Sequence, residues 1–105
     1  MIITTTPTIE GRPIQEYLGL VNGEVVIGIN FIKDFAAGLT NFFGGRSSSY
    51  ENELIEGRAQ VIAELQKRAT DMGANAVVGL DIDYEMLGQA NDMMMIVATG
   101  TAVRI

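Results

Sequence analysis

A formal net charge of −6, from thirteen acidic and seven basic side chains in 105 residues, repels phosphate backbones and anionic lipid surfaces and argues against nucleic acid or membrane as a partner. The chain has no cysteine and no histidine, which removes disulfides, thiolate nucleophiles, imidazole bases and zinc-finger spacings. With 48% hydrophobic and only 19% charged residues, it can build one cored domain over residues 1–105, and part of its surface calls for cover by another subunit.

Met1 to Pro13 has neither a basic start followed by an apolar run nor a small-residue cleavage site, which reads as a soluble, cytoplasmic protein. Ile2 to Thr6 is β-prone and suits a short edge strand, followed by a loop bracketed by Pro7 and Pro13. Tyr17–Val21 and Val25–Ile29 are strand-like, and the intervening Asn22-Gly23 is a two-residue hairpin signal. A single long strand bulged at Gly23 is the competing reading. From Asn30, a candidate N-cap, Phe31, Ile32, Phe35, Ala36, Leu39, Phe42 and Phe43 recur at helical spacing until Gly44-Gly45. Ser48 and Glu51 have capping-box spacing for a second helix, whose stripe runs Leu54, Ile55, Arg58, Val61, Ile62, Leu65, Ala69 and Met72, ending at Gly73. Gly57 lies inside that helix and weakens it by about 0.5–1 kcal/mol relative to alanine.

Ala76 to Met86 reads as a strand, Gly88 to Asp92 as a hairpin loop and Met93 to Val103 as the returning strand. Alternation from Leu80 sends Asp81, Asp83 and Glu85 to one face, and Leu80, Ile82, Tyr84 and Met86 to the other. The last strand is apolar on both faces, with Met94, Ile96, Ala98 and Ala102 on one side and Met93, Met95, Val97 and Val103 on the other. Two helices cover only one side of such a sheet, which predicts a homo-oligomer whose neighbours cover part of the other.

Several runs together carry a family resemblance: Thr5-Thr6-Pro7, Gly44-Gly45-Arg46-Ser47, Tyr50-Glu51, Leu54, Arg58, Gly73-Ala74-Asn75-Ala76-Val77-Val78-Gly79, Asp81-Ile82-Asp83-Tyr84-Glu85 and Gly100-Thr101-Ala102-Val103. Over nearly its whole length the chain resembles the YbjQ family, small bacterial and archaeal proteins of unknown function labelled "putative heavy-metal-binding". The resemblance implies an α+β fold: a two-layer α/β subunit with a dodecin-like core, its antiparallel sheet packed on two helices, closing into a ring, a pentamer. It also implies a cysteine in the first long strand, where this chain has Leu18.

Three constellations bear on function. Asp81, Asp83 and Glu85 are candidate ligands for a divalent metal ion, the one cofactor the residues suggest. Neighbours two apart on one strand lie roughly 6.5–7 Å apart, too far to share an ion bound at about 2.0–2.6 Å unless symmetry brings copies together. A solvated acidic face, or pairing with Arg46, Arg58 or Lys67, is the plainer reading. Met93 and Met95 share a face and are soft copper(I) donors, though methionine ordinarily fills cores and interfaces. Arg46, Ser47 and Ser48 precede a helix in a way that suits an anion, but they lack the lysine and spacing of a P-loop, and helix capping explains the glycines and serines. No nucleophile is spaced against a base. The sequence therefore favours a non-enzymatic homo-oligomer binding a metal or small ligand between subunits, with a structural or interaction module as the alternative.

Overall fold

A computed structural model of the chain describes residues 1–28, 48–88 and 93–105. Four strands form one sheet: β1 (Ile2–Ile3), β2 (Glu16–Ile27), β3 (Ala76–Leu87) and β4 (Met93–Arg104), in the spatial order β1-β3-β4-β2. The helix α1 (Ser48–Asp71) packs on one face, chiefly over β2 and β4. The fold is α+β.

Two expectations change. The sheet is mixed, because β1 runs parallel to β3 while β3–β4 and β4–β2 are antiparallel. The hairpin at Asn22-Gly23 does not form: β2 is one continuous strand pairing with β4 from Glu16↔Arg104 to Ile27↔Met94. Its irregularity lies between Tyr17 and Gly19, not at Gly23. Of the two expected helices, the second is α1, and the one expected from Asn30 to Phe43 lies outside the described residues, as do Gln89–Asp92 of the expected hairpin loop.

The role of Gly23 is steric. A Cβ there would sit 2.5 Å from Val61 O and 3.0 Å from Leu65 N, so this glycine lets the helix backbone descend onto the strand. Gly57, on the sheet-facing side of α1, is its counterpart: a Cβ would meet Ile96 Cδ1 at 2.9 Å. The buried stripe of the helix is then Gly57, Val61, Leu65 and Ala69, every fourth residue, as the i, i+4 face of a helix requires. Ile55 is exposed. The stripe meets Val21, Val77, Ile96, Ala98 and Ala102, with Val25, Ile27, Leu80 and Ile82 at its margin.

The helix ends in a Schellman motif, with Ala74 N–H donating to Ala69 O at 3.0 Å and Gly73 N–H to Thr70 O at 2.9 Å. Gly73 takes φ +89° there, the left-handed conformation that a side chain resists. Asn75 then clamps the C-terminus, its Nδ2 donating to Ile105 O at 3.0 Å and its Oδ1 accepting from Ile105 N–H at 2.7 Å. These bonds give the Gly73-Ala74-Asn75 run a structural explanation.

The second face of the sheet is covered at one end only. Ala76, Val78 and Val103 are buried under Ile9, Ile14 and Ile105. Thr4 N–H donates to Val77 O, Gly79 N–H to Thr6 O and Leu80 N–H to Thr4 O, so the N-terminal segment is laced onto β3 as far as its irregularity between Val78 and Asp81. Beyond that point the face carries no further cover among the described residues.

Candidate functional site

The registers fix what the open face displays, since directly opposed residues share a face. Asp81, Thr99 and Asn22 form one row across β3, β4 and β2; Asp83, Val97 and Glu24 form the next; Glu85, Met95 and Val26 form the third. The acidic side of β3 is thus separated from β2 by a stripe of threonine, valine and methionine. The alternation expected for Asp81, Asp83 and Glu85 holds, and all three are exposed.

Asp81 and Asp83 are close enough to interact. A side-chain hydrogen bond with Asp81, followed by the charge of Asp81, holds the Asp83 carboxyl above its ordinary value of 3.8, with some desolvation and the charge of Glu85 acting in the same direction. A divalent cation would take the same carboxylate oxygens. Among the described residues no lysine or arginine forms an ion pair with Asp81, Asp83 or Glu85; the pairs there are Glu24–Arg68, Glu64–Arg68 and Glu16–Arg104. Arg58 and Lys67, two of the expected partners, lie on α1 and do not reach the acidic row.

The cation that matters at the edge of this face is Arg68. From the last turn of α1 it reaches round β2, its Nη1 donating to Asn22 O at 2.9 Å and to Glu24 Oε2 at 3.1 Å, and its Nη2 to Glu24 Oε1 at 3.1 Å. Asn22 Nδ2 also donates to Glu24 Oε2 at 2.8 Å. The Arg68 hydrogen bond is the largest influence holding the Glu24 carboxyl below its ordinary value, against some desolvation, with the Arg68 charge and the Asn22 bond adding to it. The guanidinium is correspondingly raised, first by its hydrogen bond to Glu24. Sequence reasoning missed this cluster because it left Asn22-Gly23 between a hairpin turn and a single bulged strand. The signal was present in the two-residue alternation Val21, Gly23, Val25 against Asn22, Glu24, Val26.

The remaining candidates are placed as follows. Arg46 and Ser47 lie outside the described residues, and Ser48 is the first residue of α1. Met93 and Met95 share the open face with Leu87 and Glu85 opposite them, while Met94 and Met86 oppose each other on the helix side. Tyr84 lies opposite Ile96 on the helix side but is 46% exposed.

The whole chain, residues 1–105, matches the model of the YbjQ family described as "Putative heavy-metal-binding". The chain belongs to the YbjQ family. It is 66% identical over 103 residues to a UPF0145 protein of Clostridium botulinum strain Eklund 17B, covering 98% of this chain and 97% of that one. It is 65% identical over 105 residues to a UPF0145 protein of Acetivibrio thermocellus, covering 100% and 99%, and 60% identical to one of Listeria monocytogenes, covering 100% and 96%. In fold it is similar to a crystal structure of a protein with unknown function of the DUF74 family from Pediococcus pentosaceus, with a TM-score of 0.61, 15% identity and coverage of 100% and 97%.

The family description can be held against the donors of this YbjQ chain. Heavy, soft metals select thiolate, thioether and imidazole, and with no cysteine or histidine the chain has only methionine thioethers of that set. Among the described residues no three of its carboxylates come together as a metal-holding group. A soft-metal site built on thiolate or imidazole therefore does not fit, and the described carboxylates do not close a hard-cation site within one subunit.

Proposed function

We propose that this protein is a non-enzymatic homo-oligomer that binds a hard divalent cation through the carboxylates of Asp81, Asp83 and Glu85, at a site completed between subunits. The observation that carries this reading is the acidic row itself: three consecutive outward positions of β3 are carboxylates, without a cationic partner among the described residues. Oxygen-only donors suit Mg²⁺, Ca²⁺ or Mn²⁺.

The surface supports the oligomeric half of the reading. Leu20 and Val26 are 77% and 53% exposed on the open face, beside the partly exposed Met95 and Val97. The ring, with five subunits, is the assembly that the family resemblance adds to this proposal.

Calorimetric titration with Mg²⁺, Ca²⁺, Mn²⁺, Zn²⁺ and Cu⁺ tests the cation. Binding of a hard ion that disappears in Asp83→Asn is expected. Tight Cu⁺ or Zn²⁺ binding that survives Asp83→Asn and is lost in Met93→Leu/Met95→Leu would replace the carboxylate reading with a thioether one.

A further inference from the structure

Asn22-Gly23 is the one Asn-Gly pair in the chain, and such a pair is among the least durable in a polypeptide. Asparagine is a thermolabile side chain, and glycine, with no Cβ, puts nothing in the way of its own nitrogen attacking the side-chain carbonyl before it. Here neither residue is idle. Gly23 is needed for the close approach of α1, since a Cβ would meet Val61 O at 2.5 Å. Asn22 Nδ2 donates to Glu24 Oε2 at 2.8 Å, and the Asn22 main-chain oxygen accepts from Arg68 Nη1 at 2.9 Å. The fold therefore keeps a fragile pair in the middle of β2.

Three features of the native strand oppose that attack. Asn22 is an extended residue opposite Thr99, and closing a five-membered ring across its Cα takes ψ out of the extended range. The planar trans peptide sets the Gly23 N–H opposite the Asn22 oxygen. That oxygen points to Arg68, so the Gly23 nitrogen faces β4, where its partner is Ala98, and Gly23 itself is buried beneath α1. The side-chain amide is tethered as well, because it is bound to Glu24, which Arg68 grips with both Nη atoms. Each restraint depends on β2 lying in the sheet under the helix.

We propose that Asn22-Gly23 is a latent modification site, kept unreactive by the native strand and converted to isoaspartate when β2 separates from β4 and α1, a one-way mark of chains that have opened. In the open chain the Gly23 nitrogen bonds to Asn22 Cγ, the Cγ–Nδ2 bond breaks, and Nδ2 leaves as ammonia with the Gly23 amide proton. Water then opens the cyclic imide at one carbonyl or the other, giving aspartate or isoaspartate. Neither product reproduces the native contacts. Aspartate sets a second carboxylate against Glu24 in place of the Nδ2 donor. Isoaspartate inserts an extra backbone carbon into a strand whose register with β4 is continuous from Gly19↔Ala102 to Ile27↔Met94, which puts the following residues out of step with their partners.

The test is incubation at mildly alkaline pH, native and in urea, read by peptide mapping with mass spectrometry and by labelling with an isoaspartate-specific carboxyl methyltransferase. A synthetic Leu20–Val26 peptide in both solvents supplies the unrestrained rate. The native chain is expected to deamidate at Asn22 at least about tenfold more slowly than the peptide, because attack is confined to the open fraction. The urea-unfolded chain is expected to match the peptide. A native chain that reacts as fast as the peptide would overturn the proposal, as would an unfolded chain that stays intact while the peptide reacts. Diluting the reacted chains out of urea tests the one-way mark. Chains carrying isoaspartate are expected to lack the native circular dichroism spectrum, whereas Asn22→Asp, which adds the charge without the extra carbon, is expected to fold with a lowered Tm. Isoaspartate chains that regain the wild-type spectrum and Tm would overturn the mark.

Discussion

Replacing Gly23 by alanine tests how the two layers meet. The new Cβ would lie 2.5 Å from Val61 O and 3.0 Å from Leu65 N, and both are main-chain atoms of α1 that no rotamer change can move. Ordinary contact is about 3.5–4.0 Å, so the helix must rise by roughly 1 Å over a stretch where Val61, Leu65 and Ala69 are fully buried. Overpacking of this kind costs about 1–3 kcal/mol, offset by about 0.5–1 kcal/mol of backbone entropy gained when a strand glycine becomes alanine. The net expectation is a loss of about 1–2 kcal/mol, or a fall in Tm of roughly 4–15 °C. Gly57→Ala should behave differently. Its Cβ meets only side-chain ends, Ile96 Cδ1 at 2.9 Å and Ile27 Cδ1 at 3.4 Å, a displacement costing about 0.5–1.5 kcal/mol against a helix-propensity gain of about 0.8–1 kcal/mol, so the result should lie within about 1 kcal/mol of wild type. Urea unfolding followed by circular dichroism, at one fixed protein concentration because association shifts the midpoint, measures both. Asn22→Val separates the strand from a hairpin turn, since a turn with φ > 0 at Asn22 would reject valine and a strand accepts it. A Gly23→Ala protein as stable as wild type, or an Asn22→Val protein that fails to fold, would refute the reasoning.

Further outcomes concern the carboxylates. Asp83 holds its proton more tightly folded than unfolded, so its contribution to stability is present below the ordinary 3.8 and is lost as pH rises through the elevated folded value. Asp81→Asn should therefore melt above wild type at pH 7 in chelator, with the gap closing in acid; a lower Tm at pH 7 would contradict this. Glu24 has the opposite sign, its contribution being present above the ordinary 4.5 and lost as pH falls through the depressed folded value. Glu24→Gln should accordingly be less stable than wild type at pH 7 and converge with it in acid, and added salt should narrow the neutral-pH gap because the pair is exposed. If a cation competes with the proton for Asp83, its apparent affinity should rise as pH rises through the elevated Asp83 range and be flat in Asp83→Asn, as read by calorimetry in two buffers of different ionisation enthalpy.

Strands β3 and β4, the long helix and the acidic face were legible because each depends on local periodicity. The two-residue alternation through Asp81, Asp83 and Glu85 survives in the sheet with those residues on one face. Gly23 and Gly57 misled for a single reason: a glycine signals backbone freedom locally, and only the packed layers show that both were needed for close approach. Arg68 was invisible as an edge residue because its partners, Asn22 and Glu24, are 46 and 44 positions away. The parallel pairing of β1 likewise depends on a contact between the chain start and Ala76–Val77 that no short-range pattern encodes. The acidic row was read correctly as a face; the proposed completion of that row into a binding site depends on a second copy, which the residues of one chain cannot display.

Native mass spectrometry of the protein titrated with Mn²⁺ addresses the central claim in one measurement, because it counts subunits and ions together. The account predicts a multiple of 11.3 kDa that carries Mn²⁺ in the wild type and loses it in Asp83→Asn with the subunit number unchanged. A metal-free monomer, or a multimer that takes up no Mn²⁺ at any concentration, would contradict it.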